Sequence, residues 1–466
     1  MLKSFSRISS SASRFLFSSR LFGDVSRSKQ SRYPHNPKWC TAEEAMENIK
    51  SFDHVFVHSC AAAPQYLVKK MTESVVARDL RNVIPMHVHT EGVAPYADPK
   101  YEKNFRTLCL FIASNLRKAV NDGRADFVPV FLSEIPVLFR KDVIPVDVAM
   151  VNVSPPDSHG YCSLGISVEA SLSAVQTAKY VIAQVNPLMP RTLGDGIIHI
   201  SQLDALVEMR EAPPLASPRP LKDFERKIGK NIAQLIPDEA CLQMGIGAIP
   251  DAVLFELGNH KNLGIHTEMF SNGVVHLVEK GVITNKKKRV LPGQIAVSFV
   301  MGDESLYKFV DDNPQVYFSE SNLINDPNII RRNPKQIAIN SSIEIDLTGQ
   351  VVSDSMGTKM YSGVGGQVDF VRGASLSEGG KSIIGMPSVT SKGETRIVPT
   401  IKEGGGVVTT RAHVRYVATE YGVVDLHGRS ILERAKLLIS ISHPKHREEL
   451  TKVARERFGK LVTNVF

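Results

Sequence analysis

The sequence predicts an α/β protein that consists of two related open domains with mostly parallel sheets. Three observations predict this fold class. Apolar strand segments alternate with helical segments, a proline-rich stretch divides the chain, and both halves begin with the same order of elements. Alternating strands and helices favour parallel sheets covered by helices. A chain of 466 residues also exceeds what one hydrophobic core usually organises.

The N-terminal segment, residues 1–22, has the composition of a mitochondrial presequence. It contains four basic residues, eight serines and no acid. Its apolar residues repeat at helical spacing (Leu2, Phe5, Ile8, Ala12 and Phe15). Basic, amphipathic, serine-rich segments without acids are typical of mitochondrial targeting. We therefore expect mitochondrial localisation, with cleavage after Phe22; a disordered basic tail is the alternative interpretation.

The net charge of +8 is concentrated near the N-terminus. Residues 1–38 carry eight basic side chains and one acidic side chain, Asp24, so the remaining chain is nearly neutral. A neutral body lacks the electrostatic signature of a nucleic-acid-binding protein. No apolar run approaches the roughly 20 residues that a membrane-spanning helix needs. The sequence thus predicts neither a nucleic-acid partner nor a membrane partner.

The cysteines and histidines do not form the patterns of a metal site. Cys40, Cys60, Cys109, Cys162 and Cys241 contain no CxxC pair, and an odd number in a long chain indicates reduced thiols. The histidines are scattered, and no GxSxG segment is present to place a serine nucleophile. We expect no metal and no Ser-His-Asp catalysis.

The domain boundary is predicted at residues 209–221, MREAPPLASPRPL. Four prolines in this stretch exclude a continuous helix or a central strand. The N-terminal α/β domain then covers residues 38–208 and the C-terminal α/β domain covers residues 222–466. An amphipathic helix opens the second domain, with its apolar side chains on one face (Phe224, Ile228, Ile232 and Leu235).

The two halves share an ordered pattern. Residues 54–71 and residues 240–257 each read as a short apolar strand, a loop of small residues, a proline and a helix. The next strand of each half ends in the same tripeptide, His-Thr-Glu, at residues 89–91 and 266–268. The ordered repetition indicates an old duplication. Open parallel sheets bind ligands at the carboxyl ends of their strands, where both tripeptides are predicted to lie.

Two glycine-rich loops are candidate binding elements. Gly245 and Gly247 lie between a strand and a helix, and the absence of Cβ lets a phosphate or an amide approach backbone N–H groups. Gly363, Gly365 and Gly366 form a second cluster that can direct backbone N–H groups at a developing oxyanion. A tight turn and a flexible turn are the respective alternatives.

Glu268 is the candidate nucleophile. It lies between a predicted strand and the turn-forming sequence Ser-Asn-Gly, and a carboxylate placed there can attack a thioester carbonyl. A solvated surface charge is the alternative. Its twin Glu91 has three alanines, residues 61–63, where Glu268 has residues 247–249. The half with glycines is therefore predicted to be active, with one CoA per chain and Glu91 in the acyl-carboxylate pocket or the domain interface.

Six segments, in order, resemble the acetyl-CoA hydrolase/transferase family, near the 4-hydroxybutyrate and acetate CoA-transferases of the class I mechanism. The resemblance covers about residues 38–460 and implies a tandem CoA-transferase architecture. Leu188 and Leu193 depart from the family pattern. The segments are SPPDSHGYCSLGIS (154–167), VIAQVNPLMPRTLGD (181–195), QMGIGAIPDAV (243–253), GIHTEMFSNG (264–273), SGVGGQVDFVRGA (362–374) and YGVVDLHGRSILERA (421–435).

The resemblance implies roles for individual residues. Glu268 would carry CoA as a glutamyl thioester, and Gly366 would donate its backbone N–H to the oxyanion. Other residues would line the CoA site or lie near the reacting carboxylate (Gly245, Ile246, Gly247, Ala248, Ile249, Ile343, Asn325 and Lys392). Independently, the cation of Lys392 could meet a CoA phosphate. No cofactor is expected, because CoA is a substrate.

The resemblance further implies transfer of CoA from acetyl-CoA or another short acyl-CoA to a carboxylate such as succinate. Acyl-CoA and short carboxylates are the expected partners, and a homo-oligomer is expected. An acetyl-CoA hydrolase that uses the same glutamate is the main alternative. A catalytically silent CoA-binding protein and a Rossmann dehydrogenase are the others; Pro250 stands where a dinucleotide fingerprint has its third glycine.

Overall fold

The computed structural model describes residues 36–216, 219–245 and 247–459. The predicted presequence, residues 1–22, and Ile246 of the first glycine loop lie outside these residues. Across the described ranges, no helix combines the length and the apolar character needed to cross a membrane.

The first half contains an eight-stranded sheet in which all neighbouring strands are parallel, in the order β1-β10-β8-β6-β2-β3-β4-β5. Strands β7 and β9 form a separate antiparallel pair. The strands are β1 (Lys38–Trp39), β2 (His54–Val57), β3 (Ile84–His87), β4 (Thr107–Cys109), β5 (Ala125–Phe127), β6 (Val148–Val153), β7 (Tyr161–Ser163), β8 (Tyr180–Val185), β9 (Ile197–His199) and β10 (Ala205–Glu208). The helices are α1 (Ala42–Met46), α2 (Gln65–Ala77), α3 (Arg117–Asn121), α4 (Ile135–Arg140) and α5 (Ser171–Thr177).

The second half contains another eight-stranded sheet, in the order β15-β13-β11-β17-β22-β24-β25, with β12 also paired to β11. Its strands and those of the smaller sheets are β11 (Cys241–Met244), β12 (Gly264–Ile265), β13 (Met269–Phe270), β14 (Ile295–Val297), β15 (Phe299–Val300), β16 (Val316–Phe318), β17 (Gln336–Ser341), β18 (Glu344–Asp346), β19 (Val351–Val352), β20 (Ser355–Met356), β21 (Lys359–Met360), β22 (Lys381–Gly385), β23 (Ile397–Val398), β24 (Tyr416–Thr419) and β25 (Gly422–Asp425). The helices are α6 (Asp223–Ala233), α7 (Ala248–Glu256), α8 (Asn272–Glu279), α9 (Glu304–Val310), α10 (Ser321–Ile324), α11 (Pro327–Ile330), α12 (Gln367–Leu376), α13 (Ile431–Ser440) and α14 (Pro444–Phe458).

The two large sheets have matching strand orders around their first central strands. Strand β2 lies between β3 and β6, followed by β8 and β10, and strand β11 lies between β12 and β17, followed by β22 and β24. All of these neighbours are parallel, whereas β13 and β25 extend the second sheet with antiparallel pairings. The predicted fold class, α/β with mostly parallel sheets, is confirmed.

Local sequence explains the elements that support the site. All six residues of β6 are buried, which is typical of a parallel strand covered on both faces. Helix α6 packs closely on α7 at Gly229. A Cβ at this position would lie only 2.6 Å from the backbone of Ala252. Pro250 lies in the first turn of α7, whereas Pro64 directly precedes α2 as its N-cap.

The two halves share one core and contact each other near the carboxyl ends of their strands. The largest apolar cluster joins Phe56 of the first half to Leu242 and Phe270 of the second. Single β-bridges also connect the halves, for example between Phe131 and Gly365. Residues 209–216 and 219–221 contain neither helix nor strand. The His89 ring of the first His-Thr-Glu segment contacts the Phe299 ring, and the Phe299 N–H donates to the carbonyl of Glu268 in the second segment at 3.1 Å.

Candidate active site

The His-Thr-Glu segment of the second half fixes Glu268 between two elements. It follows β12 directly, and its histidine and threonine point into the protein. The His266 Nε2 atom lies 2.8 Å from the Ile324 carbonyl oxygen, at the end of α10. The Thr267 hydroxyl accepts a hydrogen bond from the Met244 N–H at 3.2 Å and donates to the Met269 carbonyl at 2.8 Å. Glu268 is therefore held beside the end of β11.

Two N–H groups lie beside the Glu268 carboxylate. The Asn325 side-chain amide donates to Oε2 at 2.9 Å, and Gly366 lies against the same carboxylate, where its backbone N–H lowers the pKa of the acid. Asn325 is the C-cap of α10 and Gly366 is the N-cap of α12, so two helix ends converge on one side chain. Donors arranged in this way can also stabilise negative charge that develops on a substrate bonded to the carboxylate.

The environment raises the proton affinity of Glu268. The pKa of its carboxyl is raised to about 7 in total: burial is the main cause and the nearby charge of Glu169 adds to it, while the N–H groups of Asn325 and Gly366 partly offset both. A carboxyl with a pKa near the working pH is more basic than a surface glutamate. Strongly shifted acids in a cleft are typical of functional sites.

Each glycine of the second cluster has a separate structural reason. A Cβ at Gly363 would lie 2.8 Å from the Phe111 ring of the first half. Gly365 has a φ of +61°, which side chains disfavour. A Cβ at Gly366 would collide with both Glu268 Oε2 and Asn325 Nδ2. Only Gly366 therefore owes its lack of a side chain to the candidate nucleophile.

A cavity of about 340 Å³ opens beside Glu268. Gly245 and Gly366 line it, together with Phe111 from the first half. Nothing lies within 4 Å of a Cβ built at Gly245, and its φ is outside the left-handed region. Neither packing nor backbone conformation explains this glycine, which favours the close approach of a ligand.

A larger cavity of about 760 Å³ adjoins the first, and Ser341 lines both. Gly247, at the N-terminus of α7, contributes to its wall and has a φ of +124°. Basic side chains and an aromatic ring are also part of the lining (Lys222, Lys227, Arg396 and Tyr421), together with acids (Asp223, Glu225 and Glu420). A cavity with this lining can accept an extended anionic ligand that carries an aromatic group.

The other predicted binding residues lie around these cavities. Ala248 and Ile249 line the larger cavity with Gly247, whereas Ile246 is outside the described residues. Lys392 is exposed and directly follows Ser391, which lines the larger cavity. Ile343 is half-buried, lines neither cavity, and donates its N–H to the Val352 carbonyl at 2.8 Å.

Glu91 lies on the other side of the domain junction. It is half-buried, and its Oε1 atom lies 3.9 Å from the Nε2 atom of His89. The His89 ring in turn contacts Phe111 and Phe299, with ring centroids 5.8 and 5.9 Å apart. Glu91 lines neither of the two cavities. The structure thus brings Glu268, Asn325 and Gly366 into contact and leaves Glu91 outside that group.

Sequence reasoning missed two buried acids near Glu268. Glu169 accepts a hydrogen bond from the Ser167 hydroxyl at 2.5 Å, and burial raises the pKa of its carboxyl to about 7. Asp369 lies in the first turn of α12, and burial likewise raises the pKa of its carboxyl to about 7. For Asp369, the only sequence signal is its place in the segment QVDF. Acids are common in first helical turns for electrostatic reasons, so this signal does not indicate a functional site.

Metal ligands do not gather in the described part of the chain. Within residues 36–216, 219–245 and 247–459, no group of three or more His, Cys, Asp or Glu side chains is placed to hold a metal ion.

The chain is similar to known proteins along most of its length. The acetyl-CoA hydrolase/transferase N-terminal domain matches residues 24–215, and the C-terminal domain of the same name matches residues 302–454. A succinyl-CoA:acetate/propanoyl-CoA:succinate CoA transferase of Fasciola hepatica is 52% identical, covering 90% of this chain and 88% of its own. A 4-hydroxybutyrate coenzyme A transferase of Clostridium kluyveri is 46% identical, covering 91% and 99%. Among solved structures, RipA from Yersinia pestis aligns with a TM-score of 0.84 and 35% identity, covering 90% and 97%.

Proposed function

The chain belongs to the acetyl-CoA hydrolase/transferase family and is a CoA-transferase, and on this premise we propose that Glu268 carries CoA between two carboxylates as a glutamyl thioester. One observation carries the proposal. Glu268 borders a cavity, accepts a hydrogen bond from the Asn325 amide, lies against the Gly366 backbone, and has a carboxyl pKa raised by burial.

The proposed reaction begins with attack of the ionised Glu268 carboxylate on the thioester carbonyl of an acyl-CoA. The C–S bond breaks, which gives a mixed anhydride and the CoA thiolate. The thiolate attacks the glutamyl carbonyl and releases the first carboxylate, which leaves CoA on Glu268. A second carboxylate then reverses these two steps. Each bond broken is matched by one formed, so the thioester energy is conserved without ATP.

The two donors beside Glu268 suit the charge changes in these steps. Attack on a carbonyl places negative charge on an oxygen, and the Asn325 amide and the Gly366 N–H already point to that region. Because both groups are fixed at helix ends, little reorganisation is needed as the charge develops. Phe111 contributes to the lining of this cavity from the first half.

The two cavities suggest how CoA is accommodated. We propose that the thioester end lies in the smaller cavity beside Gly245, where nothing obstructs a close backbone contact. The nucleotide end would occupy the larger cavity, with phosphates near Arg396 and Lys222 and with Lys392 at its margin. Tyr421 offers a ring on which the adenine can stack.

The substrates are proposed by analogy with the relatives. The name of the Fasciola enzyme contains succinyl-CoA, acetate, propanoyl-CoA and succinate, and that of the Clostridium enzyme contains 4-hydroxybutyrate. We propose acetyl-CoA or propanoyl-CoA as donor and succinate as acceptor, with Glu91 at the margin of the acyl-carboxylate pocket. A panel of short carboxylates assayed against both donors measures this choice.

The decisive experiment traps the intermediate. The enzyme is incubated with acetyl-CoA alone, treated with hydroxylamine or borohydride, and digested for mass spectrometry. We expect modification of one glutamate, Glu268, and no other residue. Modification of a cysteine or of Glu91 in its place contradicts the proposal.

Acetyl-CoA hydrolysis is the second candidate activity for this site, because the family description includes both hydrolases and transferases. In a hydrolase, water would discharge the glutamyl thioester. Release of free CoA from acetyl-CoA is measured with and without succinate. A transferase forms succinyl-CoA and releases little CoA when succinate is absent, whereas a hydrolase releases CoA at the same rate in both reactions.

We also propose that residues 1–22 direct the chain to mitochondria. The support is their basic, serine-rich composition without acids. Residues 1–35 fused to a fluorescent protein should localise to mitochondria. The same fusion with Arg7, Arg14 and Arg20 changed to glutamine should remain outside them. A homo-oligomer is proposed from the family resemblance and is measured by light scattering of the purified chain.

A further inference from the structure

The buried carboxylate of Asp369 connects the first half of the chain to the partners of Glu268. Its Oδ1 accepts a hydrogen bond from the Ser133 hydroxyl at 3.0 Å, and its Oδ2 accepts one from the Ser133 N–H at 3.3 Å. The Asn325 Nδ2 atom lies against Gly366, three residues before Asp369, and the Asn325 side chain lowers the pKa of the Asp369 carboxyl. Asp369 lines neither of the two cavities.

The Asn325 amide lies against the Glu268 carboxylate and near the Asp369 carboxylate. Its Nδ2 atom donates to Glu268 at 2.9 Å, and among the described residues its buried Oδ1 atom has no hydrogen-bond partner. An amide nitrogen carries two N–H groups, so one can face Glu268 while the other faces Asp369. In the flipped orientation, Oδ1 would face the Glu268 carboxylate, and two acceptors would oppose each other. A second acceptor at Asp369 therefore favours the productive orientation.

The same segment of the first half supports both donors to Glu268. The Leu132 N–H donates to the Gly365 carbonyl at 3.1 Å, directly before the donor Gly366. The Ser321 hydroxyl, at the start of α10, donates to the Leu132 carbonyl at 2.7 Å. Ser133, the next residue, anchors Asp369. Ser133 and Asp369, which are 236 residues apart in the chain, are thus joined beside the candidate nucleophile.

We propose that Asp369 is a positioning residue, anchored by Ser133, that holds the Asn325 amide with its N–H towards Glu268. The proposal rests on the proposed function, because it assumes that Glu268 is the nucleophile. A simpler role would be that of an acidic residue that stabilises the first turn of α12. That role predicts a change in thermal stability without a specific dependence on Asn325.

The test compares Asp369→Asn, Asn325→Ala and the double variant in the full-length enzyme. The rate of Glu268 thioester formation from acetyl-CoA is measured by rapid quench and mass spectrometry, with kcat and KM from steady state. Asp369→Asn replaces one acceptor oxygen with an N–H donor, so the Asn325 amide loses its preferred orientation. We expect a thioester formation rate roughly 10- to 100-fold lower, with KM for acetyl-CoA changed by less than about threefold.

The double variant distinguishes a positioning role of Asp369 from a purely structural role. If Asp369 acts through Asn325, adding Asp369→Asn to Asn325→Ala should change the rate by less than about twofold. Multiplicative effects, or a wild-type rate in Asp369→Asn, overturn the positioning role. Asp126→Asn, the same change at an exposed acid paired with Arg106, is the matched control and should keep the wild-type rate.

A milder variant guards against misfolding. Ser133→Ala removes one donor to Asp369 and should lower the rate about 3- to 10-fold, again only when Asn325 is present. A Ser133→Ala rate equal to wild type overturns the proposed anchor. If the wild-type enzyme itself forms no Glu268 adduct, the proposed function and this inference both fall. If the wild type forms the adduct and the variants show no coupling, only this inference falls.

Discussion

The loop after β2 and the loop after β11 follow equivalent strands. The first is packed by the protein, whereas the second borders a cavity. In the first half, the Cys60 N–H donates to the His89 carbonyl at 2.6 Å, and the Glu91 N–H donates to the Cys60 carbonyl at 3.1 Å. The three alanines that follow, residues 61–63, are at most 2% exposed. In the second half, Gly245 borders a cavity, and nothing lies within 4 Å of a Cβ built there.

The difference shows that two halves with matching strand orders can differ in whether a strand end is open to a ligand. Side chains fill the first loop and join the core, so the strand end is closed by the protein itself. Glycines leave the second loop open, and a ligand can reach its backbone. The His-Thr-Glu tripeptide is the same in both halves. The two strand ends therefore differ in the neighbouring loop and not in the glutamate.

The strongest test of this contrast compares the two glutamates. Glu268→Ala removes the proposed nucleophile, so kcat should fall by roughly four orders of magnitude or more, and no adduct should form. Glu91→Gln should still form the Glu268 adduct, and titration with a CoA ester should saturate near one equivalent per chain. Two equivalents bound, or loss of the adduct in Glu91→Gln, would refute the single-site interpretation.

Gly366→Ala is expected to have the second largest effect. Its Cβ would collide with Glu268 and Asn325, which displaces the backbone donor from the reacting carboxylate. Loss of one such donor costs about 3 kcal/mol, so kcat should fall about 100-fold or more. Affinity for free CoA, measured by calorimetry, should change by less than about threefold. A variant with normal kcat would show that Gly366 serves only as a turn.

Gly245→Ser makes the second loop resemble the first, which has Ser59 at the equivalent position. Its φ suits other residues and its surroundings are open, so the thermal unfolding temperature should stay close to wild type. The side chain would occupy space proposed for CoA, and KM for acetyl-CoA should rise about 10-fold or more. Gly258→Ser is the control, because Gly258 is also open and lines neither cavity. An unchanged KM would show that Gly245 does not border the bound CoA.

The smallest effect concerns stability and pH. The folded pKa of Glu268 is raised from its ordinary 4.5 to about 7, so ionisation destabilises the folded state as pH rises through this interval. Glu268→Gln should therefore be more stable than wild type at pH 8, by about 1 to 3 kcal/mol, with the difference vanishing towards pH 4.5. Thermal unfolding at several pH values measures this. Glu378→Gln, at an exposed position, should show no such trend.

The raised pKa also predicts the direction of the activity profile. Attack requires the ionised carboxylate, so kcat/KM should decrease as pH falls below about 7. The pKa values of Glu169 and Asp369 are also raised to about 7. The decrease in kcat/KM at low pH therefore reflects the three coupled carboxyls rather than Glu268 alone.

Sequence patterns were sufficient for the fold class and for the choice of Glu268 as candidate. The apolar runs of β6 and β8 predicted buried parallel strands, and the repeated tripeptide marked two strand ends. The family resemblance supplied Asn325, which the structure places against Glu268. Ile343 and Lys392 were predicted beside CoA, and they lie next to cavity-lining residues rather than among them. The domain limits and the assigned roles stay predictions.

The sequence by itself determined the alternation of strands and helices, the two glycine loops and the glutamate between them, because each depends on residues close together in the chain. Only the tertiary structure decided which groups surround that glutamate. Ser133 and Asp369 are 236 residues apart and form no sequence motif together. Burial, which raises the pKa of Glu268, also depends on both halves packing around one carboxylate. Such electrostatics arise from spatial proximity, which local sequence patterns do not encode.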